Sequence, residues 1–197
     1  MSNFEITFTS ETTDSAVDGY MSWSARGTQD GDIPAKNFFI KTGDGTKQVV
    51  NAIKKGGKGV IMDIHNMKTG WQRFSDGGSE WVYNDTLTQW KPKPGDDYKQ
   101  GLSVSCAIGD KHVIYRQSGV AVIESLRNLS PQLMCEESAA GKLPVVTMTG
   151  TTEMKFKIGS TNVPNLQVTE WVDRPFVLEV ADAPQVTDAD LEAVSEF

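Results

Sequence analysis

The chain has 197 residues and a formal net charge of −7. This length is sufficient for one domain with a substantial core, so no disulfide or metal is needed for stability. Cys106 and Cys135 lie 29 positions apart and outside any Cys-x-x-Cys or Cys/His cluster, which argues against a zinc site and predicts two buried, reduced thiols. The N-terminus lacks the pattern of a signal peptide, and no stretch approaches the roughly 20 apolar residues of a membrane helix. We therefore expect a cytoplasmic protein with no membrane partner.

The acidic charge is concentrated at the two ends of the chain. Residues 1–32 carry a net charge of −5, and the chain from Glu179 onward contains six acidic residues and no basic one. Residues 1–178 together are nearly neutral at −1, and residues 33–75 carry +6. Because basic charge is concentrated in one segment, the acidic total does not exclude a nucleic-acid partner.

The first half of the chain predicts short strands separated by turns. Residues 4–8 alternate apolar and polar side chains and predict a half-buried strand, whereas residues 10–32 predict mostly loop. Residues 46–57 predict a short helix capped by its threonine and ended by two glycines. A buried strand is predicted over residues 60–64, and a hairpin over residues 71–83.

The second half predicts further strands and one helix. Alternation in residues 102–108, followed by a Gly-Asp turn, predicts a second hairpin that ends at residue 116. Residues 118–130 predict a helix that begins at Ser118 and ends before Pro131. Two short strands with a turn at the intervening glycine are predicted over residues 145–158, and a last strand over residues 166–172.

This order of elements predicts the fold class. Short strands with turns between them favour a mainly β fold, an OB-like small barrel with one or two short helices and a flexible acidic C-terminal tail. One helix would lie between the third and fourth strands of the barrel. The domain organisation expected is an OB-like nucleic-acid-binding domain over residues 1–178 and a disordered acidic tail over residues 179–197.

Interleaved aromatic and basic residues are the main functional signal. Six of the 17 aromatic residues fall between Trp71 and Tyr98. Flat rings stack on bases of any identity and cations follow the phosphates, the combination that single-stranded nucleic acid requires. The alternative is that these rings fill the core or hold hairpins together. The candidate DNA-binding residues in this segment are Trp71, Arg73, Phe74, Trp81, Tyr83, Trp90, Lys91 and Lys93.

Lysines outside that segment are further candidates for phosphate contacts. Lys54, Lys55 and Lys58 belong to the basic stretch, and Lys155 and Lys157 lie on one face of their predicted strand. The alternative is that they are ordinary solvated surface lysines.

The C-terminal tail is a candidate partner-binding segment. Spaced acids and a hydrophobic final residue suit docking in a basic-rimmed apolar pocket of another protein, and the tail could also compete with DNA for the protein's own cationic groove. A merely solubilising terminus is the alternative. The residues concerned are Asp188, Asp190, Glu192, Glu196 and Phe197.

The sequence contains no established catalytic or cofactor motif. His65 and His112 are the only histidines, and neither belongs to a His-x-x-x-His or Gly-x-Ser-x-Gly arrangement. Glu153 and Lys155 have the spacing found in some metal-dependent nucleases, and Asp96-Asp97 would be a further source of ligands. We nevertheless predict a non-enzymatic protein with no cofactor and no metal, and keep the nuclease as a third hypothesis.

Three segments resemble bacteriophage-encoded proteins: Gly141-Lys-Leu-Pro-Val-Val-Thr-Met-Thr-Gly-Thr-Thr152, Pro164-Asn-Leu-Gln-Val-Thr-Glu-Trp-Val-Asp-Arg-Pro175 and Lys93-Pro-Gly-Asp-Asp-Tyr-Lys-Gln-Gly101. The group is that of phage single-stranded DNA-binding proteins of OB fold, and the resemblance covers about residues 60–178. It implies coating of single strands in replication, recombination and repair, with a tail that recruits replication or recombination proteins. The tail here departs from the familiar bacterial one, because its acids are spaced and Phe197 follows Glu196 rather than a proline.

Together, the residues and the resemblance predict a single-stranded DNA-binding protein without sequence preference, acting in phage DNA replication, recombination and repair in the host cytoplasm. The expected partners are single-stranded DNA and, through the tail, replication or recombination proteins. Homo-oligomerisation is left open. The alternative from another functional class is a virion or protein-interaction module without DNA affinity.

Overall fold

The computed structural model describes residues 17–75, 78–87, 89–157 and 159–182, with side chains up to Glu179. The strand predicted over residues 4–8 and the tail residues from 183 onward lie outside this part of the chain. Among the described residues, no helix is both long and apolar enough to cross a membrane.

The described chain is mainly β, as predicted, with few helices. The strands are β1 (Gly19–Ser24), β2 (Asn37–Lys41), β3 (Lys47–Val49), β4 (Val60–Met62), β5 (Lys68–Ser75), β6 (Gly78–Tyr83), β7 (Lys99–Ile108), β8 (Lys111–Ser118), β9 (Leu143–Lys155) and β10 (Ser160–Val172). The helices are α1 (Val120–Leu133), α2 (Glu136–Ala139) and α3 (Phe176–Asp182), with short 3₁₀ helices at Asn51–Ile53 and Ile64–Asn66.

The strands form one sheet that curls into a half-barrel. Its order is β10-β9-β4-β7-β8-β1-β2-β3, and β5 pairs with β7 on one side and β6 on the other. β4 and β5 share one edge of β7: β4 pairs at Cys106 and Ala107, and β5 pairs over residues 99–103. β1 and β8 are parallel, and the other pairs between strands are antiparallel.

The curl brings the tip of the β9–β10 hairpin against the end of β1. The indole N–H of Trp23 donates to the carbonyl of Asn162 at 2.9 Å, and the side-chain amide of Asn162 donates to the carbonyl of Ala25 at 3.2 Å. Arg26 donates through Nη2 to the carbonyl of Ser160 at 2.6 Å. Side-chain to backbone bonds therefore join these two parts of the sheet.

The hydrophobic core lies on one face of the sheet, beneath α1. Met21, Phe38 and Val104 come from the sheet, and Val122 and Leu129 come from the helix; all are almost fully buried. The period-two pattern of β7 and the i, i+7 spacing in α1 explain this placement, because each directs apolar side chains to a single side. The hydroxyl of Ser125 also donates to the carbonyl of Pro164 at 2.9 Å, which ties α1 to β10.

A smaller core cluster lies on the opposite face, beneath α3. It joins Ala107 and Leu143 to Leu178, which is only 1% exposed. The domain boundary expected after residue 178 therefore falls inside a helix, and the folded part of the chain includes residues 179–182.

In the first third of the chain, the sequence prediction missed one strand and placed a helix where the structure has none. The region predicted as mostly loop contains β1, which β8 and β2 hold from both sides. The helix predicted over residues 46–57 is instead β3 followed by a 3₁₀ helix and a turn. β3 pairs with β2, so tertiary contacts override the weak local helix signal.

The predicted turn at Gly150 and helix end before Pro131 are also wrong. β9 runs straight through Gly150, which pairs with Asn165 next to a shift in register, so this glycine marks a β-bulge. α1 begins after Gly119, whose φ of 126° suits glycine, rather than at Ser118. It continues past Pro131, which lies in the last turn and lacks the N–H that would donate to the carbonyl of Arg127.

The two predicted hairpins and the reduced thiols are confirmed. The first hairpin is β5–β6 and the second is β7–β8. Cys106 and Cys135 are both free, although only Cys106 is buried and Cys135 is half-buried.

Candidate nucleic-acid interface

The hairpin β5–β6 directs its aromatic residues to two different faces of the sheet. Directly opposed residues in an antiparallel pair point to the same face. One face receives the pairs Gln72 with Trp81, Phe74 with Ser79 and Gly70 with Tyr83; the other receives Trp71 with Val82 and Arg73 with Glu80. We call the first the open face. We call the second the packed face, because its continuation in β1 and β7 forms the main core.

The open face continues from β6 across five further strands. The register carries it through β5, β7, β8, β1 and β2. Its members are Lys68, Gly70, Gln72, Phe74, Ser79, Trp81, Tyr83, Lys99, Gly101, Ser103, Arg116, Ser118, Tyr20, Ser22, Phe39 and Lys41.

Two stacked rings form a flat aromatic platform on the open face. The rings of Trp81 and Tyr83 are 5.5 Å apart between centroids, at an interplanar angle of 14°. Gly70 and Gly101 oppose each other beneath them, and a Cβ on Gly101 would come within 2.8 Å of Cη2 of Trp81. Glycine at this position therefore allows the indole to lie close against β7. The ammonium of Lys68 lies 5.5 Å from the centroid of Tyr83.

A cavity of about 700 Å³ lies on the open face beside this platform. Phe74, which is 70% exposed, is on its rim. The guanidinium of Arg116 lies 5.6 Å from the ring centroid of Tyr20, and its Nε donates to the hydroxyl of Ser103 at 3.3 Å. The lining residues are Tyr20, Ser22, Trp23, Ser24, Thr28, Phe39, Gln72, Phe74, Ser79, Arg116, Gln117 and Ser118. We call this space the open-face cavity.

The cations of the open face are not neutralised by acidic side chains of the described part of the chain. Lys68 and Arg116 form no ion pair there, and neither do Lys41 and Lys99. Their charges therefore remain available to an anionic ligand.

The packed face uses its tryptophans to hold a loop. The indole N–H of Trp71 donates to the carbonyl of Lys91 at 2.8 Å, and its ring meets that of Trp90 edge-on with centroids 5.6 Å apart. The side-chain carbonyl of Asn84 accepts from the backbone N–H of Lys91 at 3.1 Å. The aromatic residues here hold the described loop residues 84–87 and 89–91 against the hairpin.

Arg73 is neutralised on the packed face. Its guanidinium lies 2.5 Å from Glu80 and 3.7 Å from Asp97, and it stacks over the ring of Tyr98 with 5.1 Å to the centroid. The hydroxyl of Tyr98 donates to Glu80 at 2.6 Å. The bond from Tyr98 and the bond from Arg73 hold the pKa of Glu80 below its usual value. This cluster joins the two strands of the hairpin to each other and to Tyr98.

The structure places the remaining predicted lysines in several different regions. Lys91 pairs with Asp85 at 2.8 Å, and Lys93 donates to the carbonyl of Asp96 at 2.8 Å. Lys54 lies in the turn before β4 and bridges to Met148 of β9, and Lys55 and Lys58 follow it in the same exposed turn. Of the predicted DNA-binding residues, only Phe74, Trp81 and Tyr83 therefore lie on the open face.

Lys155 and Lys157 lie at the exposed tip of the β9–β10 hairpin. Arg26 joins this tip to the end of β1, and the residues on either side, Ser24 and Thr28, line the open-face cavity. The basic tip is therefore close to the edge of the cavity.

Several residues of the open face were not predicted from the sequence: Tyr20, Phe39, Gln72 and Arg116. A usable signal was present in β1, where Tyr20 and Ser22 alternate with buried Met21 and Trp23. The acidic, serine- and glycine-rich surroundings concealed that alternation. Arg116 had no such signal, because residues 112–115 of β8 are all buried and do not alternate with exposed ones.

A second groove, about 610 Å³ in volume, lies on the packed side between α1 and the loop 84–91. It is mostly apolar, with Met67, Leu87, Trp90, Leu126 and Met134 among its lining residues. Such a surface is compatible with protein binding.

The residues of the nuclease hypothesis have structural contacts. Glu153 accepts a hydrogen bond from the hydroxyl of Ser160 at 2.7 Å across the hairpin tip. No group of three or more His, Cys, Asp or Glu side chains with metal-site geometry occurs in the described residues.

No protein-family model matches the chain, and no curated protein or solved structure is significantly similar to it. Its function therefore has to be inferred from the geometry of the open face and from the motifs of the sequence.

Proposed function

We propose that the protein binds single-stranded DNA across the open face. One observation carries this proposal: aromatic rings and cations without ion pairs occupy one continuous surface of the described chain. The rings of Phe74, Trp81 and Tyr83 lie beside Lys68 and, across β7, beside Arg116. Stacked bases each contribute on the order of 1–3 kcal/mol, and stacking accepts every base. Lysine and arginine would hold the phosphates.

The order of the strands supports an OB-like assignment for this surface. If β4 and β5 count as one bent strand, the sequence β4/β5, β7, β8, α1, β9, β10 places the helix between the third and fourth strands. OB folds bind oligonucleotides on the face of their second and third strands. The corresponding strands here are β7 and β8, which contribute Gly101, Arg116 and Ser118 to the open face.

The wider biological role follows from the resemblance to phage single-stranded DNA-binding proteins. On that basis the proposed role is non-enzymatic coating of single strands in phage replication, recombination and repair, within the host cytoplasm. The tail residues proposed to recruit partners, from Asp188 to Phe197, lie outside the described residues.

The test is a salt titration of binding to a fluorescently labelled oligo-dT, followed by anisotropy. Each phosphate neutralised on a single strand contributes about 0.7 to the slope of log affinity against log salt. The double variant Lys68→Ala/Arg116→Ala should reduce that slope by about 1.4 and weaken binding about tenfold or more at low salt. The control Lys93→Ala/Arg127→Ala removes two cations that lie off the open face, and its slope should equal that of the wild type.

Other outcomes would favour the other hypotheses. Absence of binding by the full chain at low salt, combined with a defined oligomer or protein complex, would support the protein-interaction module and direct attention to the groove beside α1. Cleavage of DNA that a chelator abolishes and that Glu153→Gln reduces would instead support the nuclease.

A further inference from the structure

The open-face cavity lies where β1 separates from β8. The two strands pair from Gly19 to Met21. At Trp23, the side-chain amide of Gln117 lies between them instead. Its oxygen accepts from the backbone N–H of Trp23 at 2.6 Å, and its nitrogen donates to the backbone carbonyl at 2.9 Å. Because a side chain takes the place of a directly bonded backbone, the strands diverge here, and both residues line the cavity.

Two aromatic residues of the β1–β2 hairpin face this cavity. Tyr20 and Phe39 are both half-buried, so each ring presents part of its surface to solvent. The guanidinium of Arg116 lies 5.6 Å from the ring centroid of Tyr20. This arrangement repeats the one at the platform, where Lys68 lies 5.5 Å from the centroid of Tyr83. The cavity therefore carries a second combination of aromatic surface and positive charge, which suits single-stranded nucleic acid.

Small residues separate the platform from this second group of rings. Gly101, Ser103 and Ser118 form the open face of β7 and β8 between them, so a strand can approach the sheet closely there. The indole of Trp81 lies against Gly101 of β7, and Phe39 lies three strands further along the sheet. At about 4.8 Å between neighbouring strands, the separation is about 15 Å. A stacked strand, with a rise of about 3.4 Å, covers it in four to five nucleotide steps.

The β1–β2 hairpin lies outside the strands that give the OB-like order. That set comprises β4 with β5, then β7, β8, β9 and β10. A binding surface confined to it would end at Arg116 on β8. The added strands continue the surface through Ser22 on β1 to Phe39 on β2, which pair directly with each other.

We infer that the β1–β2 hairpin provides a second base-stacking site, separate from the platform, and that the protein selects single strands long enough to occupy both, about six nucleotides or more. This inference rests on the proposed function and adds a length requirement to it. Arg116 lies between the two sites, where it would hold the connecting phosphates. Once one site is occupied, binding at the other is intramolecular, so affinity rises when a strand spans both.

The test measures how affinity depends on the length of the strand. Unlabelled oligo-dT strands of about three to about ten nucleotides compete with one labelled oligo-dT for the full chain, and anisotropy gives each affinity. For the wild type we expect the largest rise between about three and about six nucleotides. Longer strands also gain phosphate contacts, so the decisive comparison is with a variant that lacks the second site.

Tyr20→Leu/Phe39→Leu removes both flat rings and keeps apolar bulk in their places. A strand of about ten nucleotides should bind about tenfold more weakly to this variant, the effect of losing one stacked base. A strand of about three nucleotides, which still has the platform, should lose less than about twofold. Each single leucine variant should show part of the loss, so the comparison survives if the double variant is unstable. Thermal unfolding verifies that every variant is folded.

Two controls test whether stacking is responsible. Tyr20→Phe keeps both rings and should retain the wild-type dependence on length. Phe176→Leu removes an exposed ring from α3 and should also leave that dependence unchanged. A loss in Tyr20→Phe as large as in the leucine variants would overturn a stacking role for this hairpin.

The outcomes separate this inference from the proposed function. In the leucine variants, an equal loss for short and long strands, or no loss for either, would overturn the second site and leave single-strand binding intact. Failure of the wild type to bind oligo-dT of any length would overturn the proposed function itself.

Discussion

The two faces of hairpin β5–β6 carry similar side chains but use them differently. On the packed face, the indole of Trp71 donates to the carbonyl of Lys91, and the guanidinium of Arg73 is paired with Glu80. On the open face, the indole of Trp81 stacks on Tyr83, and the cations Lys68 and Arg116 form no ion pair within the described part of the chain. The difference shows that aromatic and basic composition alone does not define a binding surface. The informative property is whether the charged groups are already paired within the protein.

The largest expected effect is on protein stability, and it tests the different roles of the packed and open faces. Trp71→Ala should lower the free energy of unfolding by about 2–3 kcal/mol, below the range for a fully buried tryptophan because Trp71 is half-buried. Urea unfolding followed by circular dichroism measures this change. The folded variant should bind oligo-dT within about twofold of the wild type, since its ring faces away from the proposed site. Loss of DNA binding with unchanged stability would mean that the two faces have been assigned the wrong way round.

An effect of intermediate size is expected at the rim of the open-face cavity. Phe74→Ala should weaken binding of oligo-dT about tenfold, because one stacking ring is removed. Its stability should change by less than about 0.5 kcal/mol, since the ring is 70% exposed. The matched control is Phe176→Ala, at the start of α3, whose ring is 76% exposed. Anisotropy measures both variants, and an equal decrease in affinity would show that Phe74 acts only as a generic apolar surface residue.

The smallest effect concerns the cluster of Arg73, Glu80 and Tyr98 and its response to acid. Because folding lowers the pKa of Glu80, its ionised form stabilises the native state above the usual value of 4.5, and this contribution disappears as the pH falls through the lowered pKa. The wild type should therefore lose more stability than Glu80→Gln between neutral and acidic pH. Urea unfolding at a series of pH values measures the two curves. Parallel curves would show that the cluster contributes nothing to acid sensitivity.

Local pattern predicted the hairpins but not the strand that completes the site. The alternation of β7 and the glycines of β5–β6 are visible within a few residues of sequence, and both hairpins formed as expected. β1 is short, its alternation lies in an acidic segment rich in serine and glycine, and pairing with β8 and β2 holds it in place. The omission of Tyr20 from the predicted site follows directly from that error.

The sequence also could not assign each aromatic residue to a face. Trp71 and Trp81 were equivalent candidates, because both lie in segments that mix aromatic and polar residues. The register of β5 with β6 and β7 separates them. The role of Gly101 was likewise not predictable from local sequence. It lies beneath Trp81, a residue 20 positions earlier in the chain, and a local pattern does not reveal a contact at that separation.

The parallel pairing of β1 with β8 has a consequence for the order in which the protein folds. Met21 pairs with Tyr115, a partner 94 positions later in the chain, whereas β7 and β8 meet across a two-residue turn. Closing a long loop costs conformational entropy before the contacts that it allows can stabilise the chain. Hairpins therefore form early, and strand pairs that are distant in sequence form late. During synthesis, β1 can pair with β2 but cannot join the rest of the sheet until β8 has left the ribosome, and the bond from the indole of Trp23 to Asn162 forms later still. We therefore expect the half of the open-face cavity that contains Tyr20 to be assembled last, so that a nascent or partly folded chain lacks the complete surface proposed for binding.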